Sequence, residues 1–131
     1  MVKNLFVSAI CAGIAAGLLA SVLQFTFVIP VLLEGELYET GARVHFSTDG
    51  SPQSDRGAPS LGGDWTRHSM TVAFNIVTYT GYGLLLAALI SFAALKGITT
   101  SARQGLIWGL CGFIAVQLAP AIGLPPELPG T

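Results

Sequence analysis

The stretch KNLFVSAICAGIAAGLLASVLQFTFVIPVLLE, Lys3 to Glu34, places thirty residues without an ionisable side chain between two charges. A helix needs about 20 apolar residues to cross the ~30 Å hydrocarbon layer of a bilayer, so this segment holds one span. The same pattern recurs twice: twenty-seven uncharged residues separate His68 from Lys96, and twenty-three separate Arg103 from Glu127. Only 10% of the chain is charged and 52% is hydrophobic, with a mean hydropathy of +0.68; soluble domains carry about 25% charge. The expectation is an all-α membrane protein forming a single membrane domain over residues 1–131. It has three transmembrane helices at about 5–30, 70–95 and 104–124, a long outer loop at 34–68 between the first two, and a proline-rich C-terminal elbow at 120–131.

Lys3 followed by an apolar run also has the charge order of a secretory signal. The run is about twice the length of a normal signal core and no small-x-small cleavage site follows a short core, so an uncleaved helix is expected. Cys11 and Cys111 both fall inside spans, which argues for small packing residues rather than a structural disulfide. The chain has no HExxH, CxxC or phosphate-loop motif and no nucleophile constellation, so no enzyme is predicted. It also lacks the basic patch that binding to nucleic acid requires.

Lys and Arg in short loops mark the cytoplasmic side of a membrane protein. Lys3, Lys96 and Arg103 flank the spans with no acid nearby, whereas the 34–68 segment holds six acids against three arginines. The N-terminus and the 96–103 turn are therefore expected in the cytoplasm, and the long loop and C-terminus outside. The loop, EGELYETGARVHFSTDGSPQSDRGAPSLGGDWTRH, is rich in Gly, Ser, Pro and Asp without apolar periodicity, so a mobile centre and no second core are predicted. Tyr38, Trp65 and Trp108 have the amphipathic rings of interfacial anchors.

Because lipid tails are as apolar as leucine, helices in a membrane associate through close backbone approach and interhelical hydrogen bonds. Ala9, Gly13, Gly17 and Ser21 recur every four residues in the first span, and Gly105 and Gly109 share that spacing in the third. In the second span the row is Thr71, Asn75, Tyr79, Gly83, Ala87 and Ser91, polar at one end and small at the other. Gln24, Asn75 and Gln117 each fall six or seven residues inside an outer boundary, which at 1.5 Å per residue is a common depth of about 10 Å. Two readings of this intramembrane polar layer stand: interhelical glue, or the lining of a hydrated path together with Thr26, Thr78, Thr80 and Tyr79.

Outside the spans the sequence gathers Glu34, Glu36, Glu39, His45, Asp49, Asp64, His68 and Glu127. An acidic rim concentrates cations at a membrane surface, and carboxylate with imidazole suits borderline divalent metals such as cobalt, nickel or zinc. Glu34, Glu36, Glu39, His68 and Glu127 are the candidate metal contacts. The bland alternative is an acidic outer loop with an interfacial histidine.

The segment RQGLIWGLCGFIAVQLAPAIGLPPELPG, Arg103 to Gly130, resembles the CbtA family of predicted cobalt transporter subunits. The similarity extends to AGIAAGLLASVLQ at 12–24, to LEGELYE at 33–39 and to TGYGLLLAAL at 80–89. The resemblance implies a subunit of a cobalt (divalent cation) uptake transporter of the bacterial inner membrane, linked to cobalamin synthesis. Cobalt is then the transported substrate, with no tightly bound cofactor. The implied partner is a small one-span histidine-bearing subunit, CbtB-like, beside membrane lipid and a possible homo-oligomer. The alternative is a non-transporting membrane scaffold or assembly subunit. Family chains are expected to be longer, with further spans and a histidine-rich first outer loop; here the loop holds only His45 before His68. On that ground the chain is expected to be a fragment, a truncated paralogue or a half that needs a partner.

Overall fold

The computed structural model describes residues 2–46, 48–50, 57–124, 127 and 129. The loop centre at 51–56, where the sequence suggests mobility, lies outside the described residues. The described residues form three helices long and apolar enough to cross a membrane, Lys3–Glu39, Trp65–Leu95 and Ala102–Gly123, and no strand. The fold class is therefore all-α, with the long loop between the first two helices. Among the described residues the exposed side chains fit lipid rather than water. Phe6, Leu19, Phe27, Val31, Phe74, Val77, Phe92 and Leu106 all lie more than half exposed.

The first helix continues through Pro30 to Glu39, so Glu34, Glu36 and Glu39 stand on a helix rather than in the loop. Proline lacks an N–H, and its ring collides with the carbonyl four residues back. The chain accommodates it by widening the preceding turn: Gln24–Val28 is π-helical, and the Ile29 N–H bonds to Gln24 O, five residues back. The third helix repeats the device. Ile114–Leu118 is π-helical and the Ala119 N–H reaches Ile114 O, immediately before Pro120. Both prolines thus sit just past a π turn, an insertion frequent at functional positions in helices.

Local chemistry sets the other ends. Asp64 caps the second helix by accepting from the Arg67 N–H at 3.0 Å. That helix closes on Gly97 at φ 80°, with Ile98 N–H on Ala93 O at 3.1 Å and Gly97 N–H on Ala94 O at 3.0 Å, a Schellman pairing that needs glycine. Ser101 and Gln104 form a reciprocal capping box at the start of the third helix.

The first two helices pack antiparallel. Contacts run in opposite sequence order through Ala9–Gly83, Gly13–Thr80, Gly17–Ile76, Ser21–Asn75, Phe25–His68 and Glu36–Arg67. Ala9, Gly13, Gly17 and Ser21 are the buried residues of the first helix up to Ser21, so the four-residue row is the contact face. Glycine is required there because a Cβ at Gly17 would lie 2.7 Å from Ile76 Cα, and one at Gly83 would lie 2.8 Å from Ala9 O. The third helix does not join this pair. Its membrane-length window is 0% buried, and no atom lies near enough to meet a Cβ added at Gly105, Gly109 or Gly112.

Candidate functional site

Two of the three intramembrane amides meet. Asn75 Nδ2 donates to Gln24 Oε1 at 2.7 Å and to Ser21 Oγ at 3.1 Å, while Ser21 Oγ donates to Gly17 O at 2.8 Å. The four-residue row brings Ser21 to the contact, and the π turn beginning at Gln24 presents the next amide on the same side. Gln117 stands apart, exposed on the third helix inside its π turn. Thr80 lies in the tight contact with Gly13, and its buried hydroxyl has no hydrogen-bond partner among the described residues. Thr26 Oγ1 returns to Val22 O at 2.7 Å, within its own helix.

Two acids near the C-terminal end of the first helix, Glu34 and Glu36, are held by arginines. The first helix has 37 residues, about 55 Å at 1.5 Å each, so its last turns project beyond a ~30 Å hydrocarbon layer. Out there, Arg43 Nη1 donates to Glu34 Oε1 at 3.2 Å and its Nη2 to Gly57 O at 2.9 Å. Arg67 Nη1 donates to Glu36 Oε2 at 3.1 Å and its Nη2 to Glu36 Oε1. The forked hydrogen bond from Arg67 holds the Glu36 carboxyl below the ordinary carboxylate range, and the guanidinium charge adds to the effect. A depressed carboxylate keeps its pair at neutral pH and loses it only as pH falls through the lowered value. Both partners are about 40% exposed, and ion pairs that water screens contribute little. Arg67→Gln is therefore expected to leave the stability of the helix pair unchanged, measured as detergent-micelle unfolding; a clear loss would assign the fork a structural weight that exposure denies it.

His68 occupies a ring cluster, edge-on to Phe25 with centroids 5.4 Å apart and to Trp65 at 6.3 Å. Its Nε2 lies 3.1 Å from Leu61 O. A carbonyl only accepts, so Nε2 carries the proton, and in the neutral ring Nδ1 is left with a lone pair. Nδ1 is buried without a partner among the described residues, beside an open groove of about 700 Å³ lined by Phe25, Leu61, Trp65, Val72 and Ile76. Glu39 is exposed on the last turn of the first helix and Glu127 is exposed in the elbow. Among the described residues no three His, Cys, Asp or Glu side chains gather to hold a metal ion.

Sequence reasoning did not anticipate the return of the elbow. His45 stacks on Tyr38 with centroids 4.4 Å apart, and its Nε2 lies 2.8 Å from Pro129 O. A Cβ added at Gly35 would meet the Pro129 ring at 3.5 Å, so Pro129 lies against the C-terminal part of the first helix. The only sequence signal was the proline run itself, which forces an extended chain but not its destination.

Three lipid-length helices with a polar contact at depth define a multi-pass membrane protein. The family model for CbtA, described as a probable cobalt transporter subunit, matches residues 2–131, and the chain belongs to that family. No match was found among curated proteins or among solved structures.

Proposed function

We propose that the chain is a membrane subunit of a cobalt importer in a bacterial inner membrane, supplying cobalamin synthesis beside a small histidine-bearing one-span subunit. The observation that carries this reading is the family match over essentially the whole chain. Lys3, Lys96 and Arg103 favour a cytoplasmic N-terminus and turn, with the loop and elbow outside. In this reading the outer acids and His68 are the entry zone. Arginine neutralises Glu34 and Glu36 in the resting chain, so an arriving divalent cation binds by displacing Arg43 or Arg67 from a carboxylate, and the imidazole of His68, the residue after Arg67, is the borderline ligand of this zone.

Uptake of radiolabelled cobalt into cells tests this. The triple variant Glu34→Gln, Glu36→Gln, His68→Ala is expected to lower the initial rate by about threefold or more, as loss of cation concentration at the mouth requires. Arg43→Gln with Arg67→Gln breaks the same ion pairs but spares the ligands, and is expected to keep the rate. A triple variant that reaches the membrane at normal level and transports at the normal rate removes the entry zone.

A second reading, a non-transporting scaffold, draws on the polar cluster, in which Asn75 ties the second helix to Ser21 and Gln24 of the first. Such a subunit would hold other chains together, and deleting it would lower transporter abundance without changing transport per assembled complex.

A further inference from the structure

The amide contact between the first two helices is incomplete. Asn75 uses both Nδ2 hydrogens, on Gln24 and Ser21, but its Oδ1 accepts from no described residue. Gln24 uses its Oε1, but its Nε2 donates to no described residue. Both side chains are only partly buried, so this remaining edge, one acceptor beside one donor, is open. Lipid offers it nothing, and polar groups in hydrocarbon must find protein or trapped water. The shape it asks for is another carboxamide, which carries a donor and an acceptor side by side.

Gln117 is that group. Counted along the sequence it lies seven residues before Leu124, as Asn75 lies seven beyond His68; its side chain makes no hydrogen bond with a described residue, and it stands on a helix whose membrane-length window is uncovered. Among the described residues it does not reach this edge within one chain. The third helix is tied to the second through the turn after Lys96 and to the first through Pro129 on His45 and Gly35, yet between those ties it packs on neither.

We infer that the third helix of one chain docks against the first two helices of a second copy, with Gln117 completing the hydrogen bonding of Gln24 and Asn75 there. Gln117 Oε1 accepts from Gln24 Nε2, and Gln117 Nε2 donates to Asn75 Oδ1. Gly105 and Gly109, where an added Cβ would meet nothing among the described residues, let the helices approach closely. Two copies in one membrane share an orientation, so a twofold axis along the membrane normal makes the contact reciprocal and closes it at two. The contact pairs named donors and acceptors of the two copies, which distinguishes this from simple crowding of apolar helices. The inference does not depend on the transported ion.

The test uses the full chain in native membranes, with Cys11 and Cys111 first replaced by alanine. One tagged copy carries Gln117→Cys and a differently tagged copy carries Asn75→Cys; the mixed pair keeps one of its two reciprocal contacts intact. Oxidation is expected to give a cross-link carrying both tags. In the same membranes, single-molecule photobleaching of otherwise unmodified chains is expected to show the dimer fraction falling about tenfold for Gln117→Leu, and recovering in Gln117→Asn. Absence of the mixed cross-link, a cross-link confined within one chain when both cysteines share it, or a dimer fraction indifferent to Gln117→Leu overturns the inference.

Discussion

Leucine at Gly13 is expected to separate the first two helices, destabilising the pair by about 2–4 kcal/mol, the sum of overpacking and lost interhelical hydrogen bonds. The side chain would drive straight into the backbone of the second helix at Thr80. Backbone cannot rotate away as the end of a flexible side chain can, so the helices must move apart. Gly17 and Gly83 meet the same constraint, with added Cβ atoms at 2.7 Å from Ile76 Cα and 2.8 Å from Ala9 O. A retreat of about an ångström, enough to restore an ordinary carbon contact of 3.5–4.0 Å, also stretches the 2.7 Å Asn75–Gln24 and 3.1 Å Asn75–Ser21 bonds. The effect is therefore cooperative along the contact. The control is Gly81→Ala on the second helix, where nothing lies within 4 Å of an added Cβ. There alanine should leave stability unchanged or raise it by up to about 1 kcal/mol, the helix propensity difference. Energy transfer between dyes on the first two helices during detergent unfolding reads both variants; equal shifts for Gly13→Leu and Gly81→Ala would show that the glycine row is not the contact.

That row was legible before any coordinates because it is periodic. Small residues every four positions can only mean close approach along one face, and Ala9, Gly13, Gly17 and Ser21 form that face. The three spans were legible for a similar reason, since uncharged runs of bilayer length have few other solutions. Pro30 misled the first boundary: proline ordinarily ends or bends a helix, and its absorption by a π turn leaves no mark in a hydropathy pattern. The expected site at the outer rim reads differently in three dimensions, because Arg43 and Arg67 meet Glu34 and Glu36 across 9 and 31 residues of chain. Net charge counts those residues correctly and says nothing of their pairing. A common depth for Gln24, Asn75 and Gln117 was an expectation from helix rise alone; that Gln24 and Asn75 meet while Gln117 stands apart is a matter of tertiary packing, which depth does not encode. The clasp of His45 on Pro129, 84 residues apart, is the same kind of fact.

Asn75→Leu is expected to cost about 1–3 kcal/mol, from two interhelical hydrogen bonds of about 0.6–2 kcal/mol each, and the loss should fall unevenly on its two partners. Ser21 keeps its bond to Gly17 O at 2.8 Å when Asn75 is gone. The Gln24 side chain loses the only hydrogen bond it makes to a described residue. A double-mutant cycle separates the two. Gln24→Leu should be costly in the parent chain and nearly free in the Asn75→Leu background, giving a coupling of about 1 kcal/mol, whereas Ser21→Ala should couple more weakly. Additive losses for Asn75 and Gln24 would mean that their hydrogen bond does not persist in the bilayer. The same variants address what the cluster is for. If it is only glue, cobalt uptake should fall in step with the fraction of assembled chain. If the ion passes this level, uptake per assembled complex should fall further, because leucine removes the oxygen of Asn75 that stands open beside Gln24. The discriminating quantity is thus the ratio of uptake to assembly across Asn75→Leu, Gln24→Leu and the double variant. It stays constant for a structural clamp and drops for a waypoint, even though both readings predict the same loss of stability.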